Sequence, residues 1–315
     1  MHDSPPAHRP VSPEEGSRYM PLPVWALIAG IFVAALGLPF DTLAQSRAPG
    51  GWLAANYSPP PITDETRKPA PPRSLTGTWI PFGRFGVATQ AGGVSSKPNN
   101  GRPENQLPYT PFGLELYGAH RALEGADAVR PAEGNDPRNL CEPLGMPRTN
   151  HYNVNITQFF QDEYKVAILY QYDHRWRVIW TDGRELPTLV DGAVDLGGEI
   201  REQRFFGYSV GRWVDDYTLE AQTLGTMPED RVWLDSTGRP ISDQVRVTET
   251  FRRLDNDTME WSETIDDPKV YATPWETMRL TMRLHDPRTD VMEYYCSPVE
   301  QQQYNEFFGN GVSGR

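Results

Sequence analysis

Cysteine and positive charge are both scarce in this 315-residue sequence. Its two cysteines, Cys141 and Cys296, are too few for a four-thiolate zinc site or an iron–sulfur cluster. The pattern C-x-x-C-H does not occur, so covalent attachment of a c-type haem is excluded. The formal net charge is -12 and no block of Lys or Arg occurs, so the chain lacks the positive footprint that nucleic-acid binding requires.

Motifs that carry catalysis are missing or stand in an unsuitable context. None of the six histidines is spaced as H-x-H or H-x-x-x-H, so the sequence predicts no metal site. Residues 207–211 fit the nucleophile pattern G-x-S-x-G, but that motif works at a strand-to-helix turn and a strand-like segment follows it here. Asp215 and Asp216 could serve as acid and base, although a turn is favoured there. We therefore predict no catalytic residue, metal or cofactor.

Proline is unevenly distributed, with 19 of the 30 prolines in the first 111 residues. The proline-rich residues 41–74 favour an extended polyproline conformation, so we predict a linker or strap there. Residues 1–21 are predicted to form a polar tail, and residues 301–315 a C-terminal tail. The intervening residues 75–300 are predicted to form one domain, which is large enough to bury a core of its own.

Residues 22–40 form a run of 19 residues without a charged side chain. As a helix rising about 1.5 Å per residue, this run nearly spans a hydrocarbon core about 30 Å thick. A cleavage site typical of signal peptides follows the run, but the long polar segment before it favours a retained anchor. The predicted anchor residues are Leu22, Trp25, Phe32 and Phe40, and Trp25 suits a position at the bilayer interface.

The signal-like architecture predicts that the bulk of the chain is exported. The protein would then be a single-pass protein of the cell inner membrane, with most of its residues in the periplasm. In an oxidising periplasm Cys141 and Cys296 are a candidate disulfide. Their bond would close a loop of about 155 residues and contribute roughly 5 kcal/mol in the chain-entropy model. Two unpaired, buried thiols are the alternative.

From about residue 154 the hydrophobic pattern has a period of two. Residues 175–180 place Trp176, Val178 and Trp180 on one face and two arginines on the other, which is typical of a strand with one buried and one solvated face. The same alternation occurs in residues 245–252 and 277–284. Strands spaced this regularly predict an all-β fold, an antiparallel barrel or sandwich. One short helix is predicted near residues 111–124.

The segment from Leu75 to Trp79 resembles the G-x-W that opens the first strand of lipocalin-like barrels. Further stretches resemble a large family of exported, mostly uncharacterised bacterial lipocalin-like proteins: residues 135–137, 141–148, 182–184, 207–213, 235–242 and 264–275. The resemblance covers residues 75–300. It implies a β-barrel with Gly77 and Trp79 as its signature, the tryptophan packing across the barrel floor, and it implies no particular chemistry.

The sequence has nine tryptophans and 14 tyrosines, and these could fill the core, form an interface or line an apolar cavity. We expect a non-enzymatic, membrane-anchored accessory subunit whose partners are integral membrane proteins and, through the anchor, lipid. The build also resembles that of anchored subunits in some photosynthetic reaction-centre–light-harvesting assemblies. The alternative is a periplasmic carrier of a small apolar ligand, which requires an open, apolar barrel mouth. An enzyme that uses Asp215, Asp216 or the histidines is the third hypothesis.

Overall fold

A computed structural model describes residues 68–81, 95, 102–120, 136–152, 156–228 and 230–304. The predicted anchor residues Leu22, Trp25, Phe32 and Phe40 lie outside these ranges, as does most of the predicted strap. Within the described ranges, no helix has the length and apolar character needed to cross a membrane.

The described residues form thirteen strands, two α-helices and four short 3-10 helices. The strands are β1 Gly77–Pro81, β2 Thr157–Gln161, β3 Lys165–Tyr170, β4 Trp176–Trp180, β5 Thr188–Val190, β6 Ala193–Asp195, β7 Ile200–Arg201, β8 Tyr208–Trp213, β9 Thr218–Leu224, β10 Arg246–Arg253, β11 Thr258–Asp266, β12 Trp275–Glu276 and β13 Leu280–Leu284. The α-helices are α1 Pro111–His120 and α2 Pro298–Tyr304, and the 3-10 helices are Pro103–Asn105, Pro137–Leu140, Arg148–His151 and Tyr172–His174. The helix predicted near residues 111–124 corresponds to α1, and α2 crosses the predicted start of the C-terminal tail.

Nine strands close into a barrel. Their order is β10-β9-β8-β4-β3-β2-β1-β13-β11, and β11 pairs back with β10. The pairs are antiparallel except β4 with β8, which run parallel with Ile179 opposite Ser209. The connection between β4 and β8 contains a separate three-stranded sheet, β5-β6-β7. The prediction of a mostly β fold with a barrel is therefore confirmed.

Inward-facing side chains fill the barrel. The core consists of Leu75, Trp79, Phe159, Val166, Ile168, Tyr170, Ile179, Leu219, Ala221, Phe251, Met259, Trp261, Leu280 and Met282. The Trp79 Nε1 donates to the Leu75 carbonyl at 2.9 Å, and the Arg253 guanidinium carbon lies 4.6 Å from the centre of the Trp79 ring. Gly77 has a φ of 144°, and a Cβ there would come 2.4 Å from Leu284 Cδ1, so this position in β1 requires glycine.

The side chains of β4 face the opposite way to the sequence prediction. Trp176 points outward with 65% of its surface exposed, whereas Arg177 points into the barrel and is only 3% exposed. The inward position of Arg177 is stabilised by an ion pair with the buried Glu249. The prediction that Trp176, Val178 and Trp180 mark the buried face of this strand is therefore wrong. Apolar side chains identify the buried face only when the opposite face carries no charged side chain that forms an ion pair inside the protein.

The two ends of the barrel differ. At one end, here called the hairpin end, tight turns at residues 162–164, 214–217 and 254–257 join neighbouring strands. Residues 68–75 contact this end, since the Asn256 amide donates to the Lys68 carbonyl at 2.9 Å. The opposite, capped end is covered by longer segments that form a second core. This second core consists of Leu107, Met146, Val232, Leu234, Ile241, Val245, Val247, Ile265, Val270 and Tyr271.

Candidate functional site

A layer of polar side chains crosses the barrel interior beneath the capped end. Glu249 on β10 and Glu263 on β11 lie opposite each other in the strand register, and both are almost completely buried. Their alternation with apolar neighbours places both carboxylates inside the barrel. We call the group the polar layer; it consists of Asn150, His151, Tyr170, Arg177, Glu249, Trp261 and Glu263.

Each carboxylate of the polar layer accepts several hydrogen bonds. Arg177 Nη2 donates to Glu249 Oε2 at 2.6 Å, and Trp261 Nε1 donates to Glu249 Oε1 at 3.2 Å. Asn150 Nδ2 donates to Glu249 Oε1 at 3.0 Å and also donates to Glu263 Oε1. One amide thus bridges the two facing carboxylates, which compensates part of the cost of burying them together.

Residues 136–152, here called the capping segment, supply the remaining contacts of the polar layer. His151 Nε2 lies 2.6 Å from Glu263 Oε2, and the Tyr170 hydroxyl donates to Asn150 Oδ1 at 2.8 Å. Asn150 and His151 both belong to the 3-10 helix Arg148–His151, so this helix bonds directly to the barrel wall.

Burial dominates the electrostatics of the polar layer. Burial raises the pKa of Glu249. The positive charge of Arg177 lowers this pKa by a smaller amount, and the nearby Glu263 raises it further. Burial also raises the pKa of Tyr170, so its phenol stays protonated and can donate to Asn150. For Arg177, burial lowers the pKa, but Glu249, Tyr170 and Glu263 together more than offset this, so the pKa is raised and the guanidinium remains charged.

The raised pKa of Glu249 predicts a pH dependence of stability. The folded state holds this proton more tightly than the unfolded state, in which the carboxyl titrates near 4.5. The contribution of Glu249 to the free energy of unfolding should therefore be greatest below that pH and fall as the pH rises through the folded-state pKa. In urea titrations at a series of pH values, Glu249→Gln should show a shallower fall than the wild type. Identical slopes for the two proteins would contradict this assignment.

A second buried ion pair holds the capping segment together. Arg148 donates to both carboxylate oxygens of Asp136, at 2.7 and 2.5 Å, and both side chains are buried. Asp136 also accepts from the Arg138 amide at 3.0 Å and so caps the 3-10 helix Pro137–Leu140. This fixed geometry orients Asn150 and His151, which follow Arg148 in the chain.

The C-terminal segment is attached to the capping segment by a disulfide. The sulfur atoms of Cys141 and Cys296 are bonded at 2.09 Å. Cys141 follows the 3-10 helix Pro137–Leu140, and Cys296 precedes α2. Just before Cys296, the Tyr294 carbonyl accepts from the Asp173 amide at 2.6 Å, so this segment is fixed both to the capping segment and to the connection between β3 and β4.

Next to these attachments, the outer surface exposes aromatic side chains. Trp176 on β4 lies opposite Leu169 on β3, and both point to solvent. His174, two residues before Trp176, stacks on Tyr295 with ring centres 4.6 Å apart. Tyr294 and Tyr295 are themselves exposed. We call Leu169, His174, Trp176, Tyr294 and Tyr295 the aromatic face.

The structure does not bring the catalytic candidates from the sequence together. Ser209 is buried within β8, where its hydroxyl lies 2.8 Å from the Thr223 hydroxyl, and β8 continues through a turn into β9. The G-x-S-x-G segment is thus part of a strand and not a nucleophile turn. Asp215 accepts from the Tyr217 amide at 2.7 Å, and Asp216 forms an exposed ion pair with Arg73. Asp215 therefore stabilises its own turn, and Asp216 joins that turn to the segment before β1.

An open cleft of about 880 Å³ lies outside the barrel between residues 182–188 and 195–197. Arg184 covers the Trp180 ring at 3.8 Å and donates to the Tyr208 hydroxyl at 2.9 Å. It also forms an ion pair with Asp182 at 2.6 Å. These side chains stabilise the loop that forms one wall of the cleft.

No family model, curated protein or solved structure matches this chain. Of the lipocalin-like resemblance, the structure supports the closed β-barrel. The filled interior and the aromatic face are the two features that bear on function.

Proposed function

We propose that this protein is a non-enzymatic, membrane-anchored subunit of a larger membrane complex, in which the barrel is a rigid docking body in the periplasm. One observation carries the proposal: large apolar side chains fill the barrel, while others of the same kind are exposed together on one outer surface. The chemistry available to a partner is then on the outside of the barrel.

The filled interior favours docking over the carrier alternative. Trp79, Phe159, Phe251 and Trp261 are at most 1% exposed and occupy the space that an apolar ligand would need. Above them, the polar layer bonds its carboxylates to Arg177, Asn150, His151 and Trp261. An apolar ligand would have to displace both, and the loss of hydrogen bonds to these buried charged groups would oppose its binding.

The aromatic face has the composition of an interaction surface. Tryptophan and tyrosine are enriched among the residues that dominate binding energy at protein interfaces, and exposed apolar clusters mark such sites. The ion pair of Arg175 with Asp173 and the disulfide at Cys296 hold the face from both sides. A preorganised surface loses little conformational entropy when a partner binds.

The proposed partners are integral membrane proteins, with lipid contacted through residues 22–40. The finer identification comes from resemblance: among membrane complexes, a photosynthetic reaction-centre–light-harvesting assembly is the one we propose. In such an assembly the chain would act as a scaffold, because its apolar run contains no histidine to ligate a chlorophyll magnesium.

Purification of the tagged full chain from native membranes tests the proposal. We expect an integral membrane protein to co-purify in stoichiometric amount with the wild type. With Trp176→Ser and Tyr295→Ser combined, its yield should fall at least tenfold, since a loss of only about 1 kcal/mol at each aromatic side chain already weakens binding about 30-fold. The free energy of unfolding should change by only about 0.5 kcal/mol, because both side chains are exposed.

The matched control is Ile200→Ser, which removes a similarly exposed apolar side chain from the small sheet β5-β6-β7. This variant should retain the partner. A monodisperse monomer with no partner, or equal loss of the partner from both variants, would contradict the docking proposal.

A further inference from the structure

The chain that precedes the barrel arrives at the hairpin end. The Asn256 amide donates to the Lys68 carbonyl at 2.9 Å, and the Arg73 amide donates to the Asp216 carbonyl at 2.5 Å. Gln161 Nε2 also donates to the Arg73 carbonyl at 2.6 Å. Residues 68–73 thus bond to parts of all three hairpins, so the chain enters the barrel from this end.

The same end exposes a set of apolar side chains that its strands do not require. Each hairpin contributes at least one: Tyr164 in the first, Val214 and Tyr217 in the second, and Leu254 in the third. Phe160 points outward on the adjacent β2. Tight turns usually carry small polar residues, so aromatic and aliphatic side chains at their tips need a separate explanation.

We infer that the hairpin end contacts the bilayer into which the same chain inserts residues 22–40, with Tyr164, Tyr217 and Leu254 lying in the lipid interface. The inference rests on the membrane anchor of the proposed function and adds the orientation of the barrel. Tyrosine side chains prefer this region because the ring enters the apolar boundary while the hydroxyl remains hydrated. Residues 41–67 link the anchor to Lys68, so the hairpin end is the part of the barrel that is joined to the anchor by the shortest length of chain.

The charges at the hairpin end indicate which lipids it accepts. Its turns carry four exposed carboxylates, Asp162, Glu163, Asp215 and Asp216. Lys165 pairs with Asp162 and Arg73 pairs with Asp216, which leaves an excess of negative charge. An anionic lipid surface repels such a tip. The end should therefore contact zwitterionic lipid more closely than anionic lipid.

The proximity of the hairpin end to the lipid acyl chains can be measured by fluorescence quenching. The full chain is reconstituted into phosphatidylcholine vesicles with or without bromine on the acyl chains, bromine being a short-range quencher of tryptophan fluorescence. Tyr217→Trp adds a reporter at the hairpin end, and the matched control Tyr295→Trp adds one on the aromatic face. The emission added by each variant is obtained by subtracting the wild type in the same lipid.

We expect brominated lipid to quench the added Tyr217→Trp emission about twofold, as for an aromatic ring at the lipid interface, and to leave that of Tyr295→Trp unchanged. Replacing half of the lipid by phosphatidylserine should reduce the quenching. Equal quenching of both reporters, or quenching of Tyr295→Trp alone, would overturn the inference. So would an unquenched Tyr217→Trp that becomes protected only in a native complex, which would identify a protein as the occupant.

Alkaline carbonate extraction separates this inference from the proposed function. A chain that stays with the vesicles but shows no quenching at Tyr217→Trp retains its anchor and refutes only the orientation. A chain that is released from the vesicles lacks the anchor, and both proposals then fail.

Discussion

Replacing Arg177 with methionine should lower the free energy of unfolding by about 3–5 kcal/mol, the usual loss when one member of a buried ion pair is removed. Methionine fills a similar volume, so most of the loss comes from Glu249, which would remain in a dry interior without its cation. Because burial already raises the pKa of Glu249, the carboxyl of the variant would respond by binding a proton. The loss should therefore be larger at pH 8 than at pH 5.

Urea unfolding of the detergent-solubilised full chain, followed by tryptophan fluorescence, measures this loss. The matched control is Arg212→Met, which breaks the ion pair of Arg212 with Glu220 on the outer face of β8 and β9. That pair is exposed, so its loss should cost less than about 1 kcal/mol. Equal effects of Arg177→Met and Arg212→Met would show that the polar layer is hydrated and not dry.

The double variant Arg177→Met with Glu249→Gln should recover part of the stability. Glutamine removes the charge but keeps an oxygen that accepts from Asn150 and Trp261. Removal of both charges of a buried ion pair often changes the free energy of unfolding little, whereas removal of only one lowers it strongly. A double variant that is less stable than Arg177→Met alone would mean that Glu249 has a further cationic partner.

Removal of the disulfide should have an effect of similar size. Cys141 and Cys296 are 155 residues apart, and in the chain-entropy model a cross-link over such a loop contributes about 5 kcal/mol to the free energy of unfolding. Engineered and native bonds often deliver less than this bound. We expect Cys141→Ser and Cys296→Ser to lose several kcal/mol each, because either change opens the same loop.

The two single variants and their combination form an internal control. If the bond is the origin of the effect, all three proteins should unfold at the same urea concentration, and reduction of the wild type should match them. A double variant that loses the sum of the two single effects would show that each cysteine stabilises the fold through separate packing contacts.

The sequence predicted the strands well where one face is uniformly apolar. In β10, Val247 and Phe251 lie on the same face of the strand, and both point inward as predicted. Glu249 lies between them in the same phase, so a buried charge was detectable as an acid that interrupts an apolar face. In β4 the alternation was equally clear, but tryptophan occupied the outer face and arginine the inner one.

Other features depend on long-range pairing that a local pattern does not encode. The parallel contact of β4 with β8, through Ile179 and Ser209, follows from the small sheet inserted between them. The polar layer joins residues from five separate segments, and its cap-side members Asn150 and His151 lie in a short 3-10 helix without a hydrophobic period. Their role depends on the packing of the capping segment over the barrel, which no local sequence pattern encodes.

The position of β1 gives the barrel a particular response to mechanical load. β1 lies between β2 and β13 and is hydrogen-bonded antiparallel to both, with Trp79 opposite Thr157 on one side and Leu284 on the other. A force applied to the chain at residues 68–75 acts along this strand. Both ladders then bear the force in shear, so their hydrogen bonds must break together and not one after another. A barrel loaded through residues 68–75 is therefore not unzipped from an edge.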